Sequence, residues 1–177
     1  LNSTGTIVLG STTTTTGTGP VTLTNGGLLT ISGALHANGA FIQDGAGVNS
    51  IGASITASSI LFSTGITQTA SIIYTTDVAA VTSDATFTTI NGGTNDITFT
   101  IDDEGALVVS GAITNAGAVL ITDADTASFQ AITATSLSST DTATSQTYSG
   151  SLNISGAIDL NSTGTIVLGS TTTTTGT

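Results

Sequence analysis

Hydrophobic and polar residues alternate in short runs along most of this chain. Such runs occupy residues 21–24, 29–31, 97–101, 107–109 and 152–154. Because successive side chains of a β-strand point to opposite faces, every second residue of each run would point inward. Asn-Gly steps within residues 25–27, 38–39 and 91–93 separate the runs and accept the positive φ angles of tight turns. The abundance of Thr, Ile and Val, which are stiff at χ1, disfavours helix, so the pattern predicts an all-β chain.

A period of about 20 residues runs through these predicted strands. Gly-Ala pairs follow a strand-like triplet four times, with glycines at positions 33, 52, 111 and 156. Their spacings of 19, 59 and 45 residues are close to one, three and two multiples of roughly 20. Strands that recur at this spacing, with small residues at fixed corners, are typical of a parallel β-solenoid, in which each coil stacks on the coil below.

The chain ends as it begins, because residues 160–177 repeat residues 1–18 without one substitution. The offset is 160 − 1 = 159 residues, close to eight coils of roughly 20. We therefore expect residues 1–159 to form one full solenoid repeat of about eight coils. Residues 160–177 would begin the next identical repeat without a linker and in the same angular phase as residues 1–18.

A string of immunoglobulin-like sandwiches is the competing architecture, since it is also built from closely spaced strands. The aromatic content disfavours it, because a sandwich of this size usually has a larger aromatic core than five Phe, two Tyr and no Trp. We expect the narrow lumen of a solenoid to accept Ala, Val, Ile, Leu and Thr more readily than rings.

Two segments resemble repeats of a known family of surface proteins. Residues 40–53 (AFIQDGAGVNSIGA) and 86–99 (TFTTINGGTNDITF) are similar to repeats of giant filamentous-haemagglutinin-like adhesins of Gram-negative bacteria. The resemblance covers much of residues 21–158. It implies a right-handed β-helix, secretion to the cell surface and a role as a long fibre in attachment, and it transfers no catalytic residue.

The charge of the chain is entirely negative, with 11 acidic residues, no Lys or Arg and a net charge of −11. Nucleic acid and anionic membranes are therefore excluded as electrostatic partners. Apolar runs of only a few residues fall far short of the ~20 that a membrane-spanning helix needs, so we expect no membrane insertion. The absence of Cys excludes disulfide and thiol chemistry.

The acidic residues are the strongest candidates for a functional site in this sequence. Asp84, Asp102, Asp123, Asp141 and Asp159 recur at intervals close to one coil, which would stack several carboxylates along one edge of a solenoid. Hard cations bind clustered carboxylate oxygens, so the candidate Ca²⁺ ligands are Asp102, Asp103, Glu104, Asp123 and Asp125. The alternative is a solvated acidic edge that opposes aggregation and requires no cofactor.

The hypothesis that the protein is an enzyme has less support in the sequence than the Ca²⁺ hypothesis. Asp123 and Asp125 are two residues apart and would share one face of a strand, as paired carboxylates of glycosidases do. The chain offers no Lys or Arg to complete a polysaccharide-cleaving site, and an exact array has little reason to repeat an active site. We therefore predict that the protein is not an enzyme.

Two runs of five threonines, residues 12–16 and 171–175, could form ladders of hydroxyl and methyl groups. Such ladders suit an ice-binding or glycan-binding face, although a β-branched strand whose side chains satisfy one another has the same sequence.

Together these observations predict a non-catalytic structural repeat of a long secreted cell-surface filament or adhesin fibre. Its partners would be neighbouring repeats of the same fibre, end to end or side by side, and a glycan or protein receptor on another surface. The first alternative is an array of immunoglobulin-like domains rigidified by Ca²⁺. The second is an ice-binding or glycan-binding Thr-rich solenoid.

Overall fold

The computed structural model describes residues 1–76, 83–102, 104–141 and 144–175, and these residues form strands, turns and bends without any helix. The first strands are β1 (Asn2–Ser3), β2 (Ile7–Leu9), β3 (Thr13–Thr15), β4 (Val21–Asn25), β5 (Leu29–Ile31), β6 (Leu35–Ala37), β7 (Phe41–Gln43), β8 (Asn49–Ile51), β9 (Ile55–Ala57), β10 (Ile60–Phe62), β11 (Ile66–Gln68) and β12 (Ile72–Thr76). The others are β13 (Ala85–Phe87), β14 (Ile90–Asn91), β15 (Ile97–Ile101), β16 (Ala106–Val109), β17 (Ile113–Asp123), β18 (Thr126–Phe129), β19 (Ile132–Ser139), β20 (Ser145–Tyr148), β21 (Leu152–Ile154), β22 (Ile158–Leu160), β23 (Thr165–Leu168) and β24 (Thr172–Thr174).

Successive strands wind into coils with three faces, which we call A, B and C in chain order. Face A stacks β1, β4, β7, β10, β13, β16, β18, β20 and β23. Face B stacks β2, β5, β8, β11, β14, β17, β19, β21 and β24. Face C stacks β3, β6, β9, β12, β15, β17, β19 and β22. The long strands β17 and β19 each run across both faces B and C.

Every strand pair among the described residues is parallel, and partners lie roughly one coil apart in the chain. Phe41 pairs with Ile60 of the next coil, and Ile60 pairs in turn with Ala85 of the coil after that. The predicted all-β parallel solenoid of about eight coils is thereby confirmed. The immunoglobulin-like alternative is wrong, because that fold is built from antiparallel sheets.

The alternation of residues along each strand decides which side chains enter the lumen. In β12, Ile72 and Tyr74 point inward and are buried, whereas Ile73 between them is 48% exposed. The same alternation operates in β15, where Ile97, Phe99 and Ile101 are fully buried. Inward residues of successive coils lie above one another and form apolar columns along the axis.

All seven aromatic side chains lie in the lumen and form one continuous stack, the aromatic spine. Its members are Phe41, Phe62, Tyr74, Phe87, Phe99, Phe129 and Tyr148, each no more than 1% exposed. Phe62 and Phe87 stack with ring centroids 5.8 Å apart, and Phe129 stacks on Tyr148 at 5.3 Å. Phe99 joins the two halves, at 5.6 Å from Phe87 and 6.3 Å from Phe129. Ala, Val, Ile and Leu still form most of the buried core, as expected, but the lumen also accommodates every ring of the chain.

Polar side chains are buried at both ends of the aromatic spine, and Gln68, Thr76 and Ser83 are buried between these ends. The amide cluster consists of Asn25, Gln43, Asn49 and Thr64, near the corner between faces A and B. Gln43 Nε2 donates to Asn25 Oδ1 at 2.8 Å, and Asn49 Nδ2 donates to Thr64 Oγ1 at 2.9 Å. At the other end, Tyr148 donates through its hydroxyl to Gln146 Oε1 at 2.8 Å, and Gln146 Nε2 donates to Ser139 Oγ at 2.8 Å. These bonds satisfy groups that would otherwise be costly to bury.

The corner beside the amide cluster is too tight for a side chain. A Cβ on Gly47 would overlap the carbonyl oxygen of Gly27 in the preceding coil, and one on Gly45 would overlap the backbone of Asn25. Glycine is required here by the close approach of two backbones.

The two copies of the repeated segment occupy different faces. Ile7–Leu9 forms β2 on face B, whereas its copy, residues 166–168, belongs to β23 on face A. Likewise Thr13–Thr15 lies on face C and its copy Thr172–Thr174 lies on face B. The prediction that both copies share one angular phase is wrong. Its assumption of uniform coils fails, because the coils differ in length by several residues.

Candidate functional site

Most of the described acidic residues lie along one edge of the solenoid, where the chain passes from face C to face A. We call this edge the acidic corner. Its described members in the connections are Asp84, Asp102, Glu104, Asp125 and Asp141, and Asp123 is the last residue of β17 beside them. The structure therefore places three of the five predicted stacking residues, Asp102, Asp123 and Asp141, where face C ends, whereas Asp159 is the middle residue of β22 on that face. Asp84 instead directly precedes a strand of face A.

Several of these carboxylates accept hydrogen bonds from a neighbouring coil. Asp84 Oδ1 accepts from the backbone N–H of Ala106 at 3.0 Å, and Asp125 Oδ1 accepts from the Thr144 hydroxyl. The same contact recurs outside the corner, where Asp96 Oδ1 accepts from the N–H of Ala118 at 2.8 Å. Bonds to an ionised acceptor are stronger than neutral ones, so these acids connect adjacent coils.

The predicted Ca²⁺ ligands are brought to the same corner, but they do not form a cluster in the part of the chain that is described. Asp102, Glu104, Asp123 and Asp125 are placed there, and Asp103 lies outside the described residues. Within the described ranges no three acidic or His side chains are grouped closely enough to hold a metal ion. Ca²⁺ binding stays a prediction.

The paired carboxylates of the enzymatic hypothesis do not share a strand. Asp123 ends β17, whereas Asp125 lies beyond it in the connection to β18, with its N–H donating to Gly105 O at 3.0 Å. The fully buried Ala124 separates them. Asp125 is also engaged with Thr144, so this pair lacks the arrangement that the hypothesis required.

The two Thr runs fall on different faces and do not form one ladder. In the first run, Thr13 and Thr15 point inward and are half-buried, whereas Thr14 is exposed on face C. In the second run, Thr172–Thr174 is exposed on face B.

A different ladder, which sequence reasoning missed, lies on the outside of face C. We call it the threonine column, and it consists of Thr56, Thr75, Thr100, Thr122 and Thr140 on five successive coils. Thr75 pairs in register with Thr56 and with Thr100. The hydroxyls of Thr100 and Thr122 are 2.7 Å apart, and Thr140 Oγ1 donates to Thr122 O at 3.1 Å. His36 precedes the column in register with Thr56.

The signal for this column was present in the sequence but irregular. The intervals between its threonines are unequal, and only the registered coils reveal these residues as one line. Adjacent coils lie about 4.8 Å apart, so the column presents threonine side chains at close intervals. Its spacing is regular from Thr56 to Thr100, and the register shifts between Thr100 and Thr122.

Two shallow surface depressions are lined almost wholly by uncharged residues. One is lined by Thr140, Asp141, Asn161, Ser162 and Thr163 at the acidic corner. The other is lined by Asn115, Ala116, Thr133, Ala134, Thr135, Asn153, Ser155 and Thr175. Asp141 is the sole titratable group among these residues, so neither depression pairs an acid with a base.

The described residues include no helix long and apolar enough to cross a membrane. Comparison of the chain with protein-family models, with curated proteins and with solved structures found no match to any of them.

Proposed function

We propose that the protein is a non-catalytic structural repeat of a long secreted cell-surface filament or adhesin fibre. The observation that carries the proposal is the second copy of the repeated segment. It forms strands that pair with the preceding coil, β23 with β20 and β24 with β21, just as the first copy pairs with the coil that follows it. A segment that can lie above one coil and below another is suited to continuing a solenoid.

The composition supports the same proposal. Backbone hydrogen bonds that run from coil to coil make a solenoid stiff, and each coil covers the open edge of its neighbour. Without Lys or Arg, the chain offers no cleavage site to proteases of trypsin specificity. The resemblance to filamentous-haemagglutinin-like repeats supports secretion and attachment as the setting of such a fibre.

Cryo-electron microscopy of the purified chain and of the native fibre tests the proposal. We expect a filament with an axial spacing of about 4.8 Å and a rise of roughly 37 Å per repeat. Native fibres without the 4.8 Å spacing, or repeats separated by flexible linkers, would overturn it.

The threonine column favours a second candidate function, the binding of an ordered hydroxyl-rich surface such as ice or an insoluble glycan. Thermal hysteresis and sedimentation with insoluble polysaccharide test it. The triple variant Thr56→Val/Thr75→Val/Thr100→Val removes hydroxyls but keeps the β-branched shape. Thr67→Val/Thr114→Val/Thr133→Val is the matched control on face B. Loss of binding in the first variant alone supports this function, whereas no hysteresis and no sedimentation of the unmodified chain dismisses it.

A further inference from the structure

The positions of the two identical segments measure how far one repeat turns about the solenoid axis. Ile7–Leu9 lies on face B of the first coil, and its copy lies on face A of the ninth. Each coil has three faces, and we count each face that the chain passes as one face position. From face B of the first coil to face A of the ninth is eight coils less one face, or 8 × 3 − 1 = 23 face positions. One repeat is therefore not a whole number of coils.

From this offset we propose that, in a tandem array, each 159-residue unit is turned by one face, a third of a turn, relative to the unit before it. The inference rests on the proposed function, because it requires successive units to form one continuous fibre. Three units span 3 × 23 = 69 face positions, which is 23 complete coils. The same surface therefore returns to the same side of the fibre only after three units.

The segment pairs as a parallel strand on either face, although the inward residues that it meets differ, being apolar on face B and including the polar Gln146 on face A. On face B, Ile7 pairs with Leu29 and Leu9 with Ile31. On face A, Ile166 pairs with Gln146 and Leu168 with Tyr148.

The threonine runs behave in the same way. Thr13 and Thr15 lie beside Leu35 and Ala37, whereas their copies lie beside Leu152 and Ile154. Strand alternation has a period of two on every face, so this pattern alone does not bind the segment to one of them.

The rotation determines how a partner encounters the fibre. The threonine column lies on face C in one unit, and on the side continuous with face B in the next. The acidic corner moves by one edge in the same way. With coils about 4.8 Å apart, a unit rises roughly 37 Å, so a given surface recurs on one side at intervals of roughly 110 Å. A rigid partner that contacts one side therefore engages every third unit.

Engineered disulfides in the full chain test the offset, because the sequence contains no native Cys. Asn153 is exposed on face B and pairs with Thr173. If the copies shared one phase, Val167, the copy of Val8, would occupy that place instead. We expect Asn153→Cys/Thr173→Cys to form a disulfide under mild oxidation, since strand spacing falls within the Cα separation that disulfides accept.

The matched variants are Asn153→Cys/Val167→Cys, which we expect to remain reduced, and Thr147→Cys/Val167→Cys, which we expect to cross-link on face A. When the variants are oxidised in denaturant, we expect the difference in cross-linking between them to disappear. This result would show that the difference depends on the folded structure. Cross-linking of Asn153→Cys with Val167→Cys in the folded chain, at the expense of the other two pairs, would refute the offset.

A chain extended to three tandem units tests the array itself. A gold label on Thr14→Cys and on the matching residue of each later unit should appear at three azimuths, a third of a turn apart. Labels aligned on one side of a fibre that keeps the axial strand spacing would overturn the rotation but not the fibre. Loss of the axial spacing would overturn the proposed function.

Discussion

Backbone strain among the described residues is concentrated in one turn between faces B and C and in the coil stacked on it. Thr94 has a φ of 69°, a left-handed conformation that is costly for a β-branched residue. Its N–H donates to Asn115 O at 2.7 Å, and Asn115 itself has a φ of 49°. The contact between coils holds Thr94 in this conformation.

Replacing Thr94 by a residue that accepts positive φ should stabilise the protein. Asparagine adopts the left-handed region more readily, so we expect Thr94→Asn to raise the melting temperature, with a gain of about 1 kcal/mol. Calorimetry measures the change. Thr98→Asn, in the middle of β15, is the control and should destabilise, because Asn is unfavourable in strands. A lower melting temperature for Thr94→Asn would contradict the assignment of strain.

Two buried phenols make the fold sensitive to alkali. Burial raises the pKa of Tyr148 and of Tyr74 well above the ordinary value of about 10. Above about pH 10 the unfolded chain loses these protons while the folded chain retains them, so stability is full below that pH and decreases above it.

We expect the melting temperature to fall steeply above about pH 10, with tyrosinate absorbance appearing only as the protein unfolds. In Tyr148→Phe the fall should be shallower, even though the variant loses the hydrogen bond to Gln146 and is less stable at neutral pH. A fall of equal steepness in both proteins would show that this phenol does not contribute.

At the scale of the element, the corners of the coils depend on glycine. Gly47→Ala should prevent the second and third coils from packing, since its Cβ would overlap the Gly27 carbonyl oxygen. Gly17→Ala is the control, because a Cβ there meets nothing within 4 Å. We expect circular dichroism and urea denaturation to show a large loss of stability in the first variant only. Equal stability of the two variants would disprove the close approach.

The aromatic spine should carry much of the stability of the central coils. Phe87 contacts Phe62, Tyr74 and Phe99, so Phe87→Ala should cost about 3–5 kcal/mol in the free energy of unfolding. Leu61→Ala, on the outside of the same face and 36% exposed in the unmodified protein, should cost well under half of that. Urea denaturation measures the free energy of unfolding of both variants. Similar losses would show that a ring of the aromatic spine contributes no more to stability than a partly exposed leucine.

Alternation along the strands predicted the strands and their inward residues, and the Gly-Ala pairs predicted coils of roughly 20 residues. The pairs do not all mark one corner, because those at Gly33, Gly52 and Gly156 lie between faces B and C, whereas Gly111 lies between faces A and B. The place of the rings could not be predicted in this way, because it depends on volumes summed across the lumen. Ala85 precedes Phe87 by two residues, and Ala127 precedes Phe129 by two, so a small inward residue sits beside each of these two rings, whereas Phe99 follows the larger Ile97. The threonine column and the angular offset were missed for another reason, since both depend on coil lengths that vary along the chain.

At the scale of the whole molecule, charge repulsion is unopposed by any cationic side chain of Lys or Arg. With a net charge of −11, raising NaCl from about 10 mM to about 150 mM should increase the melting temperature, because the Debye length falls from about 30 Å to about 8 Å. Measuring the melting temperature in CaCl₂ and in NaCl at the same ionic strength separates charge screening from Ca²⁺ binding. An additional rise that chelator reverses would support the predicted Ca²⁺ site, whereas equal melting temperatures would indicate screening alone. A melting temperature independent of salt would refute the repulsion.

The amide cluster also opposes slippage of one coil along another. A shift of two residues would preserve the inward and outward pattern of every strand, so apolar contacts alone discriminate weakly against it. A shift of the third coil towards the start of its strands would separate Gln43 from Asn25, and a shift the other way would separate Asn49 from Thr64. Either direction therefore takes a hydrogen-bond partner from a buried amide, which is costly in a largely apolar interior. The hydrogen-bonded pair Gln146 and Ser139 opposes slippage near the other end of the lumen in the same way. The two polar groups therefore help to keep the rings between them in one register from coil to coil.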